Sequence, residues 1–155
     1  MTPKSKTLLF AGSFNPFTRG HLRILERGLV LADRIVVGVG YNIGKTSTPD
    51  VDKRIHDIRA AVEPLIRNNP EKKIAVSAYS GLTADFAKSV SADFLLRGVR
   101  NISDFEYERN LADINLKILG IDTILLCAEP EYGYISSSAV RELEANGFDV
   151  KPLLP

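Results

Sequence analysis

The sequence predicts an α/β domain, a doubly wound five-stranded parallel sheet with helices on both faces. Two observations carry this expectation. Short apolar runs, continuous in β-branched residues and Leu, alternate along the chain with amphipathic stretches of helical period. Strands that read as unbroken apolar runs are buried on both faces, which is the condition of a parallel sheet covered by helices. Polar and basic residues then recur just after the apolar runs, where such a sheet collects ligands at the carboxyl ends of its strands. The 155 residues, 45% hydrophobic and 25% charged, suit one compact domain over residues 1–155.

The elements follow in order. The first strand is residues 7–11, and its helix is 20–32, where Leu22, Leu25, Leu29 and Ala32 recur at helical spacing. Strand 34–39 precedes helix 52–66, which Pro64 is expected to kink or end. Strand 73–78 leads to helix 83–90, and strand 93–96 to helix 105–119. Strand 122–127 is followed by helix 137–146, stopped by Gly147. There is no internal repeat, low-complexity segment or interdomain linker.

Composition removes several classes of function. A net charge of +1 gives no global basic field for nucleic acid, so any anion site must come from local placement of Arg and Lys. The single cysteine, Cys127, lies in an apolar run; it is expected to be a small buried core residue, and no internal disulfide is possible. Residues 1–6 are basic, but no secretory apolar region follows and no stretch approaches a membrane span, so the expected location is the cytoplasm, with no membrane partner.

The segment joining the first strand to the first helix, Phe-Ala-Gly-Ser-Phe-Asn-Pro-Phe-Thr-Arg-Gly-His over residues 10–21, is the most informative in the chain. A strand that feeds a glycine-punctuated turn into a helix offers free backbone N–H groups and the positive end of the helix dipole to a phosphate. Thr18 and His21, three apart across the helix start, can point a hydroxyl and an imidazole into one cavity. Neither common glycine-rich nucleotide loop is present; the motif is Thr-x-Gly-His, a signature of nucleotidyltransferases. Taken alone, the tetrapeptide reads as well as a turn with a capping Thr and a partly exposed His.

Two later segments change that balance. They are Arg-Gly-Val-Arg-Asn-Ile-Ser-Asp-Phe-Glu-Tyr-Glu over 97–108 and Tyr-Ile-Ser-Ser-Ser-Ala-Val-Arg-Glu over 134–142. With the first segment, in this order and at these separations, they resemble the signature blocks of the bacterial phosphopantetheine adenylyltransferases, and the resemblance runs from about Leu8 to Pro155. On the strand assignments alone, Ser13, Lys45, Ser80 to Thr83, Arg97 to Arg100 and Tyr132 to Ser138 each follow one of the five strands, which makes them one site.

The resemblance implies roles, residue by residue. His21 would stabilise the transition state with support from Thr18, and Lys45 and Arg97 would hold the acceptor phosphate. ATP would meet Ser13, Phe14, His21, Gly98, Val99, Arg100 and Glu108, then Tyr132, Gly133, Tyr134, Ile135, Ser136, Ser137 and Ser138. The phosphopantetheine acceptor would meet Ser13, Lys45, Leu82, Thr83, Arg97, Leu111, Asn115 and Glu142. Each has an ordinary alternative: Lys45 a solvated loop charge, Leu111 core packing, the serines a helix cap. Asp104 and Glu106 read as charges at a helix start and as subunit contacts rather than a catalytic pair. His56 falls on a solvated helix face and has no role.

Some positions depart from the family pattern. Ser13 stands for the usual Thr and keeps its hydroxyl, and Asn15 stands for the usual Asp. After Lys45 the chain has Thr-Ser-Thr-Pro in place of a basic and an aromatic residue, and Lys53-Arg54 where Glu-Arg is common. The resemblance implies transfer of AMP from ATP to 4′-phosphopantetheine by in-line displacement, with Mg²⁺ held mainly by ATP phosphates and water and no protein metal-ligand set. It also implies a homohexamer, a dimer of trimers, with coenzyme A as a feedback ligand. The rival readings are another adenylyl- or cytidylyltransferase of the superfamily, or a non-catalytic nucleotide-binding regulator.

Overall fold

A computed structural model describes residues 2–45 and 48–155; the expectations that fall on Met1, Thr46 and Ser47 lie outside the described residues. The chain alternates strand and helix: β1 (Thr7–Gly12), α1 (Arg19–Gly28), β2 (Arg34–Gly40), α2 (Thr48–Asn68), β3 (Lys73–Tyr79), α3 (Thr83–Ser89), β4 (Phe94–Val99), α4 (Ile102–Leu119), β5 (Asp122–Cys127) and α5 (Ser137–Ala145). The five strands form one parallel sheet in the order β3-β2-β1-β4-β5, the doubly wound arrangement that the sequence predicts.

Each central strand feeds two cores because its side chains alternate between faces. Leu8 and Phe10 of β1 point to the face packed with Leu25 of α1, Leu29 just after it, and Ile58 and Val62 of α2. Leu9 and Ala11 point to the opposite face, with Ala84 and Ala87 of α3 and Leu95 of β4. Leu9, Leu25, Ile35, Ile58 and Leu96 are fully buried, each contributing about 1.5–3 kcal/mol. Order reverses at β1, where β2 lies on one side and β4 on the other, and this opens the crevice that holds the site.

Several details differ from expectation. Strand β4 runs to Val99 rather than residue 96, so Arg97, Gly98 and Val99 lie within it and only Arg100 follows it, and α2 starts at Thr48 rather than residue 52. Helix α1 stops at Gly28 rather than residue 32; a Cβ on Gly28 would lie 2.6 Å from Leu96 Cδ2, so the helix end lies flat on the sheet and the chain turns towards β2. Helix α4 starts at Ile102, because the Asn101 side chain caps the Asp104 N–H at 2.9 Å. Pro64 does not end α2, which continues to Asn68. Pro64 removes the donor for the Ala60 carbonyl, but both residues are exposed, so water can serve that carbonyl while buried Ile58 and Val62 anchor the helix. Cys127 is exposed rather than buried, because β5 is an outer strand and Cys127 is its last residue. No helix among the described residues is long and apolar enough to cross a membrane.

Candidate active site

The turn after β1 brings the Thr-x-Gly-His segment to the crevice and closes it by a reciprocal cap. Thr18, extended at φ −111° and only 1% exposed, accepts the His21 N–H on Oγ1 at 3.3 Å. The Thr18 N–H in turn donates to His21 Nδ1 at 3.0 Å. This is a capping box in which an imidazole takes the place normally held by Glu or Gln. The bond has a chemical consequence: Nδ1 is the acceptor, so the ring proton sits on Nε2.

The ring is packed among aromatic side chains. Phe17 stacks on it at 5.4 Å between centroids, and Phe14 meets it edge-on at 5.1 Å. Phe14 reaches this place through a left-handed backbone, φ 45°, beside Gly12, where an added Cβ would lie 3.1 Å from the Phe14 ring. Burial, and after it the positive charges of Arg97 and Arg100, lower the His21 pKa from 6.5 to about 4. Near neutral pH His21 is therefore an uncharged donor through Nε2–H.

Two arginines leave the end of β4 in fixed poses. Arg97 donates from Nε and Nη2 to the two carboxylate oxygens of Glu108, at 2.8 and 2.6 Å, and from Nη1 to the Ala11 carbonyl. Glu108 is 6% exposed, and its hydrogen bonds help raise the Arg97 pKa. Arg100 is held by Asp104, at 2.8 Å from Nε and 3.2 Å from Nη2. Gly98 lies between them, and a Cβ there would come within 3.0 Å of Ile24 Cγ1, so glycine lets α1 seat against β4 beside both arginines.

Two cavities meet at this point. The first, about 350 Å³, is lined by Ser13, Phe14, Thr18, His21, Gly98 and Arg100, and on its far side by Tyr132, Ile135 and Ser136 to Ser138. Ser136 caps α5 through Oγ to the Ala139 N–H at 3.1 Å, and Ser137 Oγ donates to the Pro16 carbonyl at 2.8 Å, so this wall is tied to the turn after β1. The second cavity, about 460 Å³, runs between the sheet and helices α3 and α4, lined by Leu82, Thr83, Leu111 and Asn115. Ala11, Gly12, Ser13, Arg97 and Glu108 border both. The first is a cationic, hydroxyl-bearing space suited to phosphates; the second is narrower in chemistry and mostly apolar.

Several expected residues stand apart. Lys45 is exposed in a turn, its N–H bonded to the Asn42 carbonyl at 3.1 Å, and it lines neither cavity. Val99 is in the core, with its carbonyl taken by the Ala128 N–H at 2.8 Å. Gly133, Tyr134 (70% exposed) and Glu142 line neither cavity. Exposed Cys127 also lines neither, so its exposure places no nucleophile in the crevice. His56 is exposed on α2, as expected.

Other residues at the site were not singled out from the sequence. Arg141 lines the first cavity and bonds the Asn15 carbonyl at 2.5 Å; its position three after Ser138, on the same helix face, was the available signal. Arg23 of α1 holds the carboxylate of Glu129 at 3.0 and 3.2 Å, and Arg27 donates to the Cys127 carbonyl at 2.7 Å. These bonds tie the His21 helix to the segment that carries Tyr132. Tyr79 and Thr123 line the second cavity, Tyr79 bonded through its hydroxyl to Thr83 Oγ1 at 2.8 Å.

Comparison with known proteins gives the family. The family model described as cytidylyltransferase-like matches residues 9–143. The phosphopantetheine adenylyltransferase of Phocaeicola vulgatus is 45% identical over 147 residues, covering 95% of this chain and 93% of the relative. That of Porphyromonas gingivalis is 45% identical over 154 residues, covering 98% and 95%. Among solved structures, a bifunctional NMN adenylyltransferase/ADP ribose pyrophosphatase from Francisella tularensis aligns with a TM-score of 0.67 at 12% identity, over 97% of this chain. This chain spans 44% of that bifunctional protein, and the likeness is one of fold. The Thr18–His21 cap, the β4 arginines and the serine-capped α5 thus belong to a nucleotidyltransferase, and the chain is a member of the phosphopantetheine adenylyltransferase family.

Proposed function

We propose that the protein transfers AMP from ATP to 4′-phosphopantetheine, giving dephospho-coenzyme A and pyrophosphate. The observation that carries this reading is the shared wall of Ser13, Arg97 and Glu108 between a phosphate-suited cavity and a mostly apolar one. ATP lies in the first cavity and the pantetheine arm runs along the second, so that the acceptor phosphate and the α-phosphate of ATP meet at that wall.

An oxygen of the acceptor phosphate attacks the α-phosphorus in line, the new P–O bond forms, and the bond to the pyrophosphate oxygen breaks. The acceptor phosphate is already ionised near neutral pH, so no general base is needed. Neutral His21 donates its Nε2–H to the oxygen on which charge grows, and a donor placed there in advance acts mostly on the transition state. Arg97 holds the acceptor phosphate while Arg100 and the serines at the start of α5 hold the leaving phosphates. Mg²⁺ supplies charge neutralisation on the triphosphate. The residues fit an ion carried by the nucleotide, since the carboxylates of Glu108 and Asp104 are already bonded to arginines. A cytoplasmic homohexamer and feedback by coenzyme A complete the proposal.

Mass spectrometry of reactions with ATP and 4′-phosphopantetheine tests it. Dephospho-coenzyme A and pyrophosphate should form one for one. Adenylylation of nicotinamide mononucleotide instead, or no product with either acceptor, overturns the assignment.

A further inference from the structure

The turn that carries Tyr132 is short and holds itself by few bonds. It spans Pro130–Tyr132. The Tyr132 N–H donates to the Glu129 carbonyl at 2.9 Å, and the Ile135 N–H to the Tyr132 carbonyl at 3.1 Å, both within the segment. Among the described residues, the hydrogen bonds that join 129–133 to another element are those of the Glu129 carboxylate. Arg23 of α1 takes that carboxylate through Nε at 3.0 Å and Nη2 at 2.9 Å, and its Nη1 is fixed by Glu26 at 2.9 Å. Arg27, one turn on, lies 4.0 Å from the same carboxylate and donates to the Cys127 carbonyl.

An isolated surface ion pair contributes little, but a bidentate one inside a network of charges fixes geometry. Neither Arg23 nor Glu129 lines a cavity, so the pair stands outside both. The residue it holds does not. Tyr132 is half-buried on the wall of the first cavity, and its carbonyl lies 3.9 Å from a Cβ placed on Gly20. On α1, Gly20, His21 and Ile24 line that cavity, while Arg23, Glu26 and Arg27 form the adjacent stripe at helical spacing. One helix therefore presents His21 to the cavity and grips the opposite wall. An aromatic ring offers its face to a nucleobase, whereas phosphates suit Arg100 and the serines of α5.

We propose that Arg23 and Glu129 are positioning residues for the nucleobase. Their ion pair holds the Tyr132 turn on the start of α1 and so sets nucleotide affinity without touching the nucleotide. This rests on the reading of the first cavity as the ATP site.

The test is a double-mutant cycle of Arg23→Ala, Glu129→Ala and the double variant, made in the full chain. Hydrogen exchange over residues 129–134 reads the turn without any ligand. Calorimetry reads ATP, inorganic triphosphate and 4′-phosphopantetheine separately. Each single variant should speed exchange in the turn and raise the ATP Kd by about fivefold or more, and the double variant should be no worse than either, as for one shared interaction. Triphosphate and phosphopantetheine should bind within about twofold of wild type, and the melting midpoint should hold. Unchanged exchange in both single variants overturns the clamp whatever the cavity binds. Equal losses for ATP and triphosphate overturn it too, as do effects that multiply in the double variant. If exchange responds but wild-type protein does not bind ATP, the reading of the first cavity fails, and the inference with it.

Discussion

Thr18 and His21 cap each other across the first turn of α1, each side chain receiving the other's backbone N–H, at 3.3 and 3.0 Å. The motif spacing is therefore a structural device before it is a catalytic one: the bond that caps the start of the helix also selects the ring tautomer. Two-dimensional ¹⁵N NMR should show His21 as the Nε2–H tautomer, titrating only as the pH nears 4. The unfolded chain takes up this proton near 6.5 and the folded chain near 4, so between those values the unfolded state binds more protons. The contribution of His21 to stability is thus fully present above 6.5 and falls as the pH drops towards 4. A His21 ring that titrates near 6.5 in the folded protein contradicts the assignment of the cap.

The two β4 arginines should separate in both binding and stability. Arg97→Ala should weaken phosphopantetheine and Arg100→Ala should weaken ATP, each by about 1.5–3 kcal/mol for a lost charge-assisted bond. Arg97→Ala also strands the carboxylate of Glu108, whose side chain is 8% exposed, and should lower stability by about 3 kcal/mol. Arg100 and Asp104 are 33% and 25% exposed, so that pair contributes less than about 1 kcal/mol. Calorimetry and denaturant melts check both halves; equal losses for both ligands in both variants would mark the arginines as structural.

Lys45 reaches neither cavity, and the first two turns of α2 carry two further cations. Lys53 is paired with Asp57 at 2.5 Å on the exposed side, whereas Arg54 donates to the Ser13 carbonyl at 3.3 Å, at the border of the two cavities. A flexible lysine can follow a phosphate as it turns from attacking group to diester. Lys45→Met should cut kcat/KM for the acceptor by at least about tenfold, with the melting midpoint unchanged. Lys53→Met should stay near wild type. Wild-type kinetics in Lys45→Met with a crippled Arg54→Met would move the role to α2.

Thr123 Oγ1 is a buried hydroxyl without a hydrogen-bond partner, on the wall of the second cavity. Leaving such a group unpaired costs about 1–3 kcal/mol. Thr123→Val, which keeps the shape, should therefore be neutral or stabilising by up to about 1 kcal/mol in a urea melt. Destabilisation beyond that would mean the hydroxyl has a partner in solution.

The strands were legible because each is a nearly continuous apolar run, and the crevice followed from their carboxyl ends. Thr18, His21 and the serines at α5 were legible because each marks a helix start. Cys127 was misread for a physical reason: an apolar run looks the same on a central strand and on an outer one, and only the sheet order makes β5 outer. Pro64 does not end α2, because its cost depends on whether water reaches the Ala60 carbonyl. The Arg97–Glu108 pair joins a strand to the following helix across 11 positions, a contact that no periodicity encodes.

The central claim is that neutral His21 stabilises the transition state of adenylyl transfer rather than binding ATP in its ground state. Steady-state kinetics of His21→Ala with ATP and phosphopantetheine, beside calorimetric ATP titration, test it most directly. In His21→Ala kcat should fall by roughly 10²-fold or more while the ATP Kd stays nearly unchanged. An unchanged kcat, or a loss confined to ATP affinity, would contradict it.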